Sequence, residues 1–180
     1  MNRKRKTRLI TLLLFAVYTT IASAQPTASR IDTSDWKTYR NETMGFEVQY
    51  PNSWHVSKGT GIGTESVRLG ETPQADKPNL SVEFWVQRKI NPKGLSIGEW
   101  YADQLQGFKA ATPTTTETVI GGRPTIHREV VGTLGKHHDF FTSLNETDVF
   151  EITITQPSSQ AQLDQTYEYI LSTVRFINSP

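Results

Sequence analysis

Polar and apolar positions alternate along most of the chain beyond residue 35. Phe46, Val48 and Tyr50 fall on one side of an extended segment, with Glu47 and Gln49 on the other. Pro51 has no N–H to give to a ladder and ends that strand. The run from Trp36 to Asn41 also alternates, so the two segments read as short strands around a turn. Extension resumes at Trp54 to Lys58, and Gly59-Thr60-Gly61-Ile62-Gly63 reads as a loop. Glu65 to Leu69 follows as a short strand, and the Pro-rich, charged stretch to Asn79 as a second loop. From Leu80 to Ile90 the alternation is longest, with Leu80, Val82, Phe84 and Val86 on one face, as in a central strand. Trp85 is left on the opposite face with Ser81, Glu83 and Gln87.

The period then changes. Ser96-Ile97-Gly98-Glu99 has capping-box form, and Ile97, Trp100, Tyr101, Leu105 and Phe108 recur at three to four residues, the mark of an amphipathic helix. Thr116 to Ile120, the Gly121-Gly122 turn and Arg123 to Val131 predict a hairpin. Lys136 to Leu144 returns from it, Asn145 to Asp148 turns, and Val149 to Thr155 places Phe150, Ile152 and Ile154 inward. Ser158 or Ser159 can cap a last helix carrying Leu163, Tyr167, Ile170, Leu171, Val174 and Phe176 at helical spacing. The fold class expected is α+β, a mainly antiparallel sheet flanked by helices.

Composition changes this picture at the N-terminus. Arg3, Lys4, Arg5, Lys6 and Arg8 precede a mostly apolar stretch from Ile10 to Ile21, and Ala22-Ser23-Ala24 offers the small residues a signal peptidase accepts. Residues 1–24 are expected to be a cleavable signal peptide, cut near Ala24-Gln25, with 25–35 a flexible leader and 36–178 a single domain. The apolar stretch is roughly a dozen residues, whereas a bilayer span needs about 20. No stable membrane span is therefore expected after cleavage, and the protein is expected outside the cytoplasm, in the periplasm or secreted. Five of the 19 basic residues leave with the signal while all 18 acidic ones remain, so 14 face 18 and the mature net charge is −4. Such a balance argues against nucleic acid or anionic lipid as partner. Cysteine is absent, so the fold is held by its core without disulfides.

Tyr39, Gly45-Phe46, Tyr50-Pro51, Trp54, the Gly121-Gly122 turn and the closing Ile170-Leu171-Ser172-Thr173-Val174-Arg175-Phe176 resemble the PsbP-like family, which includes the extrinsic subunit of photosystem II and exported bacterial relatives. The resemblance spans about Trp36 to Ile177. It implies the sandwich architecture and, with a plain secretory signal, a stand-alone bacterial relative. It also implies an association with metal ions for some members.

Candidate chemistry gathers on the second hairpin. Pairing Val131 with Lys136 places Glu129 opposite His138 and His127 opposite Phe140 on one face, with Arg128 opposite Asp139 on the other. Two imidazoles and a carboxylate suit zinc or a similar divalent ion, so His127, Glu129 and His138 form a candidate metal site; the alternative is a polar sheet face with cross-strand pairs. Gly94-Leu95-Ser96-Ile97-Gly98 matches the nucleophile-elbow pattern, with His127 as partner, but Asn91-Pro92-Lys93 interrupts the strand-to-helix turn and capping explains Ser96. Gly59 to Gly63 lacks the Gly-Lys-Ser/Thr ending and the following helix of a phosphate cradle. Trp85 is the candidate partner surface, on a face either covered by the second helix or exposed. The expectation is a non-enzymatic, exported PsbP-like domain that binds or helps assemble an envelope protein or complex. A metal- or small-ligand-binding module on the His127 face is the first alternative and a serine hydrolase using Ser96 the second. No catalytic residue and no obligatory cofactor is expected.

Overall fold

The computed structural model describes residues 31–61, 64–72, 80–106, 113–132, 135–156 and 164–177. Strands β1 (Lys37–Asn41), β2 (Phe46–Tyr50), β3 (His55–Gly61), β4 (Thr64–Gly70) and β5 (Ser81–Gln87) precede helix α1 (Ile97–Leu105). Strands β6 (Thr114–Ile120), β7 (Arg123–Gly132), β8 (Gly135–Ser143) and β9 (Val149–Gln156) follow, then helix α2 (Gln165–Thr173) and strand β10 (Arg175–Phe176). The antiparallel strands form two sheets among the described residues, ordered β1-β2-β10 and β3-β4-β5-β9-β8-β7-β6. This is the α+β architecture expected, with the β1–β2 hairpin and β10 forming a separate small sheet.

Alternation explains how the two sheets meet. Phe46, Val48 and Tyr50 are buried as the pattern predicts, and so are Val82, Phe84 and Val86 of β5 and Phe150, Ile152 and Ile154 of β9. Phe46 of the small sheet lies 4.8 Å from Phe84 and 4.9 Å from Phe150, ring centre to ring centre, so one aromatic joins both sheets. Tyr167 and Ile170 of α2 enter the same core. Truncating a fully buried phenylalanine costs about 3–5 kcal/mol, which makes Phe46 a principal fastener of the fold.

The other face of the large sheet is covered at one end by α1. Ile97, Trp100 and Tyr101 pack on Ile126, Phe141 and Val149, and the Trp100 indole N–H donates to the Ile90 carbonyl at 3.3 Å. Ser96 caps α1 as predicted: its Oγ accepts from the Glu99 amide, and the Glu99 carboxylate accepts from the Ser96 amide.

Three expectations are corrected. The glycines at 59 and 61 lie in β3 and not in a loop; Gly59 pairs with Ser66, and a Cβ at Gly59 would sit 1.6 Å from Ser66 Oγ. Glycine there sits in a paired ladder and leaves room for the Ser66 side chain opposite. Arg175-Phe176 do not end the helix. Val174 (ψ 130°) turns the chain into β10, which pairs with β2 through Arg175↔Glu47 and Phe176↔Phe46. The helix facing Trp85's side of the sheet is α1, because α2 belongs to the core on the opposite side. The capping described for α2 comes from Asp164, whose Oδ1 accepts from the Thr166 amide at 2.8 Å; Ser158, Ser159, Leu163 and Phe108 lie outside the described residues.

Candidate functional site

The β7–β8 hairpin has the register read from the sequence, with Val131↔Lys136, Glu129↔His138, Arg128↔Asp139 and His127↔Phe140. Because side chains alternate, His127, Glu129, Lys136 and His138 share one face and Arg128 and Asp139 the other.

On the first face the two imidazoles meet directly. His127 Nε2 lies 3.0 Å from His138 Nδ1, with the ring planes 20° apart and the centroids 5.2 Å apart. This places the rings almost end to end, so one N–H points along the other nitrogen's lone pair. His127 also lies flat on Phe140, 4.4 Å between centroids, and its Nδ1 is 3.3 Å from Thr116 Oγ1. A hydrogen-bonded line therefore runs from Thr116 on the exposed strand β6 inward to His138, which is only 3% exposed. The buried Nε2 of His138 has no hydrogen-bond partner. Burial lowers the pKa of both histidines; Glu129 and Asp139 oppose this for each, while His127 and Lys136 add to it for His138. Both shifts favour the neutral rings, in which one ring N–H carries the bond between them.

Glu129 completes the group as a pivot. One carboxylate oxygen takes Lys136 Nζ at 3.0 Å and the other lies 3.9 Å from His138 Nδ1. The residues proposed to ligate a metal are thus brought together, but their donor atoms face one another. A shared ion needs lone pairs converging on one empty point, and the His127–His138 bond uses the pair that would do so. No group of three or more metal-ligating side chains converges among the described residues. As arranged, these residues do not fit a metal centre.

The opposite face carries an ion pair. Asp139 Oδ2 accepts from Arg128 Nε at 2.9 Å and NH2 at 2.6 Å, while its Oδ1 accepts from Thr153 Oγ1 at 3.1 Å. The Arg128 guanidinium stacks on Phe141 at 5.0 Å. Neighbouring Glu151 accepts from Gln87, and its carboxyl is pushed up by burial and by Asp139. Trp85 pairs with Glu151 on this face and is partly buried.

Ser96 and His127 are not assembled as a catalytic pair. The Ser96 hydroxyl donates to Glu99 Oε2 at 2.7 Å, and His127 projects away from the face where its neighbour Ile126 packs on α1. Sequence reasoning missed Thr116 and Lys136 as members of the histidine group. The same register that located His138 identifies both, since Thr116 pairs with His127 and Lys136 follows Val131 across the turn.

No family model matches the chain, and no curated protein matches it. A solved structure of cyanobacterial PsbP (CyanoP) from Synechocystis sp. PCC 6803 aligns over 84% of this chain and 99% of that one, at a TM-score of 0.52 and 14% identity. The chain has a PsbP-like fold. A crystal structure from Bacteroides thetaiotaomicron matches over 79% of this chain at 12% identity and a TM-score of 0.49, and the chain spans 48% of that longer protein. Several of the residues that carry the PsbP-like resemblance meet where the small sheet joins the large one. Tyr39 touches Phe46 at 5.9 Å, Ile177 N–H donates to the Gly45 carbonyl at 2.8 Å, and Gly121 abuts Phe176. These contacts join the two sheets of the PsbP-like architecture. Among the described residues, no helix is long and apolar enough to cross a membrane.

Proposed function

We propose that this protein is an exported, non-enzymatic binding or assembly factor for a protein or complex of the cell envelope. The observation that carries the reading is a contrast on the β6–β8 extension. The charged side chains of β7 and β8 are paired, Arg128 with Asp139 and Lys136 with Glu129, whereas Val119, Val130 and Val131 are exposed by 66%, 38% and 67%. Exposed β-branched residues beside paired charges offer contact area for a partner. Export rests on the basic-then-apolar N-terminus and its Ala22-Ser23-Ala24 ending. A photo-crosslinking residue at Val131 in intact cells should give a discrete heavier species that the same group at Lys37, on the small sheet, does not give. Uniform absence of such a species from Val119, Val130 and Val131 would sink the reading.

The alternative, a metal- or small-ligand-binding module, has the buried and unpartnered Nε2 of His138 in its favour. An ion would have to break the His127–His138 bond to enter. Titration with zinc separates the readings: saturable heat that disappears in His138→Ala would favour the ligand module.

A further inference from the structure

The hairpin turn fixes which way the edge strand β6 presents its backbone. Gly121 and Gly122 have φ of 57° and 78°, positive at both central positions as in a type I′ turn. The flanking pair Ile120↔Arg123 then exchanges both hydrogen bonds, and bonded pairs recur every second residue at Thr118↔Thr125, Thr116↔His127 and Thr114↔Glu129. The residues between them, Thr115, Glu117 and Val119, turn their N–H and C=O groups away from β7. Pro124, which has no N–H to give, faces Val119 in one of these non-bonded pairs.

That outward edge is open. Thr114 to Val119 are exposed, and β6 ends the sheet order among the described residues. Proteins usually guard such an edge with lysine, proline or a bulge. The opposite edge strand β3 carries Lys58 and Gly59, but β6 is seven residues of threonine, valine, isoleucine and one glutamate. The side chains of Glu117 and Val119 border a groove of about 430 Å³ against Ser96, Ile97 and Gly98 at the start of α1, floored by Ile126. Glu117 has no ion-pair partner among the described residues, and the nearby Arg128 is committed to Asp139. The groove therefore offers a carboxylate without an ion-pair partner among the described residues, apolar contacts from Ile97, Val119 and Ile126, and backbone groups ready for a ladder.

We propose that β6 accepts an extended basic-apolar peptide segment as an added strand of the large sheet. Its backbone bonds Thr115, Glu117 and Val119, a lysine or arginine of the segment meets the Glu117 carboxylate, and an apolar side chain enters the groove beside Ile97. Main-chain pairing supplies affinity and the alternate side chains supply selectivity. A second copy of this chain fits less well, because the longest antiparallel self-pairing of the outward residues sets Glu117 against Glu117, and like charges directly opposite destabilise. The proposal rests on the protein-binding reading above and names its surface.

The test is a nuclear magnetic resonance titration of the isotope-labelled protein with a capped seven-residue peptide alternating valine and lysine. Binding should shift the amides of Thr115, Glu117 and Val119 and slow their exchange with solvent, and an all-acidic counterpart should bind about tenfold more weakly. Glu117→Lys should reverse that preference. Glu117→Pro removes an outward N–H and leaves the β6–β7 bonds intact, so it should abolish binding while the β8 and β9 signals stay in place. Shifts confined to another surface, equal binding of both peptides, or undiminished binding by Glu117→Pro would overturn the proposal. So would a concentration-dependent dimer whose new contacts map to β6. If crosslinks form at Val131 while β6 stays silent, this proposal fails and the broader reading stands; if no valine crosslinks, that reading fails by itself.

Discussion

Gly121 and Phe176 touch so closely that a Cβ on the glycine would lie 2.7 Å from the phenylalanine ring. The turn of one sheet thereby rests on the last strand of the other. Phe176 also contacts Phe150, 5.2 Å away edge to face, and the Arg123 guanidinium at 4.6 Å. That guanidinium in turn donates to the carbonyls of Ser143 and Leu144 at 2.7 and 2.6 Å. The partly buried ring is thus held by contacts from both sheets.

Gly121→Ala is therefore expected to destabilise the protein by roughly 1–3 kcal/mol, combining left-handed backbone strain with the clash. Gly122→Ala meets the same kind of strain at φ 78° but has open space around it, so its cost should be nearer about 1 kcal/mol. Urea denaturation of the two variants decides the point. Equal losses would mean that the Phe176 contact contributes nothing beyond the turn itself.

A second junction depends on a single carboxylate. Asp148 Oδ1 accepts from the Lys89 amide at 2.8 Å, and its Oδ2 accepts from Arg88 NH1 and Asn145 Nδ2 at 3.0 Å each. Lys89 is the non-glycine residue with positive φ, 56°, among the described residues, and this bond secures it. Burial pushes the Asp148 carboxyl up, but the hydrogen bonds from Lys89, Arg88, Asn145 and Thr147 outweigh it and bring the pKa down from 3.8 to about 2. A carboxyl depressed in the folded state stabilises fully above its unfolded pKa, and the gain fades as pH falls through the folded one. The contribution at neutral pH is about 2 kcal/mol. Asp148→Asn should lose most of it and flatten the stability profile between about pH 4 and 2, as followed by thermal melts across that window.

How far the sequence could be read depended on how local each feature is. The capping box of α1 and the β7–β8 register follow from residues a few positions apart, and both were legible. Strand β10 was not, because two residues carry no period and their partner Phe46 is more than a hundred positions away. Gly59 misled because a glycine in a strand and a glycine in a loop look alike until Ser66 is placed opposite. For the candidate site, alternation put His127, Glu129 and His138 on one face. It could not show that His127 would turn its Nε2 onto His138 and so use up a lone pair, since rotamers depend on packing against Phe140.

The role of Ser96 is open to a direct test. As a cap it satisfies the Glu99 amide, and removing such a group costs about 1 kcal/mol. Ser96→Ala should lower the melting temperature by a few degrees, and Ser96→Asp, which preserves the cap, should restore it. A serine-reactive fluorophosphonate probe should leave the protein unlabelled. Stoichiometric labelling lost in Ser96→Ala would revive the hydrolase alternative.

The histidine pair makes stability depend on pH in a predictable sense. Both pKa values are lowered by burial, so the unfolded chain, with histidines near 6.5, binds more protons than the folded protein as the solution is acidified. The stabilisation is complete above about pH 6.5 and is lost as pH falls through the lower folded values. Glu151 acts oppositely: burial raises its carboxyl, so its contribution is present below its unfolded value and is lost as pH rises through the folded one. The two effects separate by substitution. His138→Leu, which also removes the buried unpartnered Nε2, should lessen the acid sensitivity between pH 7.5 and 5, by up to about 1.4 kcal/mol per pH unit for each proton no longer taken up on unfolding. Glu151→Gln should leave that acid loss in place and raise stability at neutral pH. Urea midpoints at several pH values measure both, and an unchanged slope in His138→Leu would show that burial of His138 does not contribute to the acid loss.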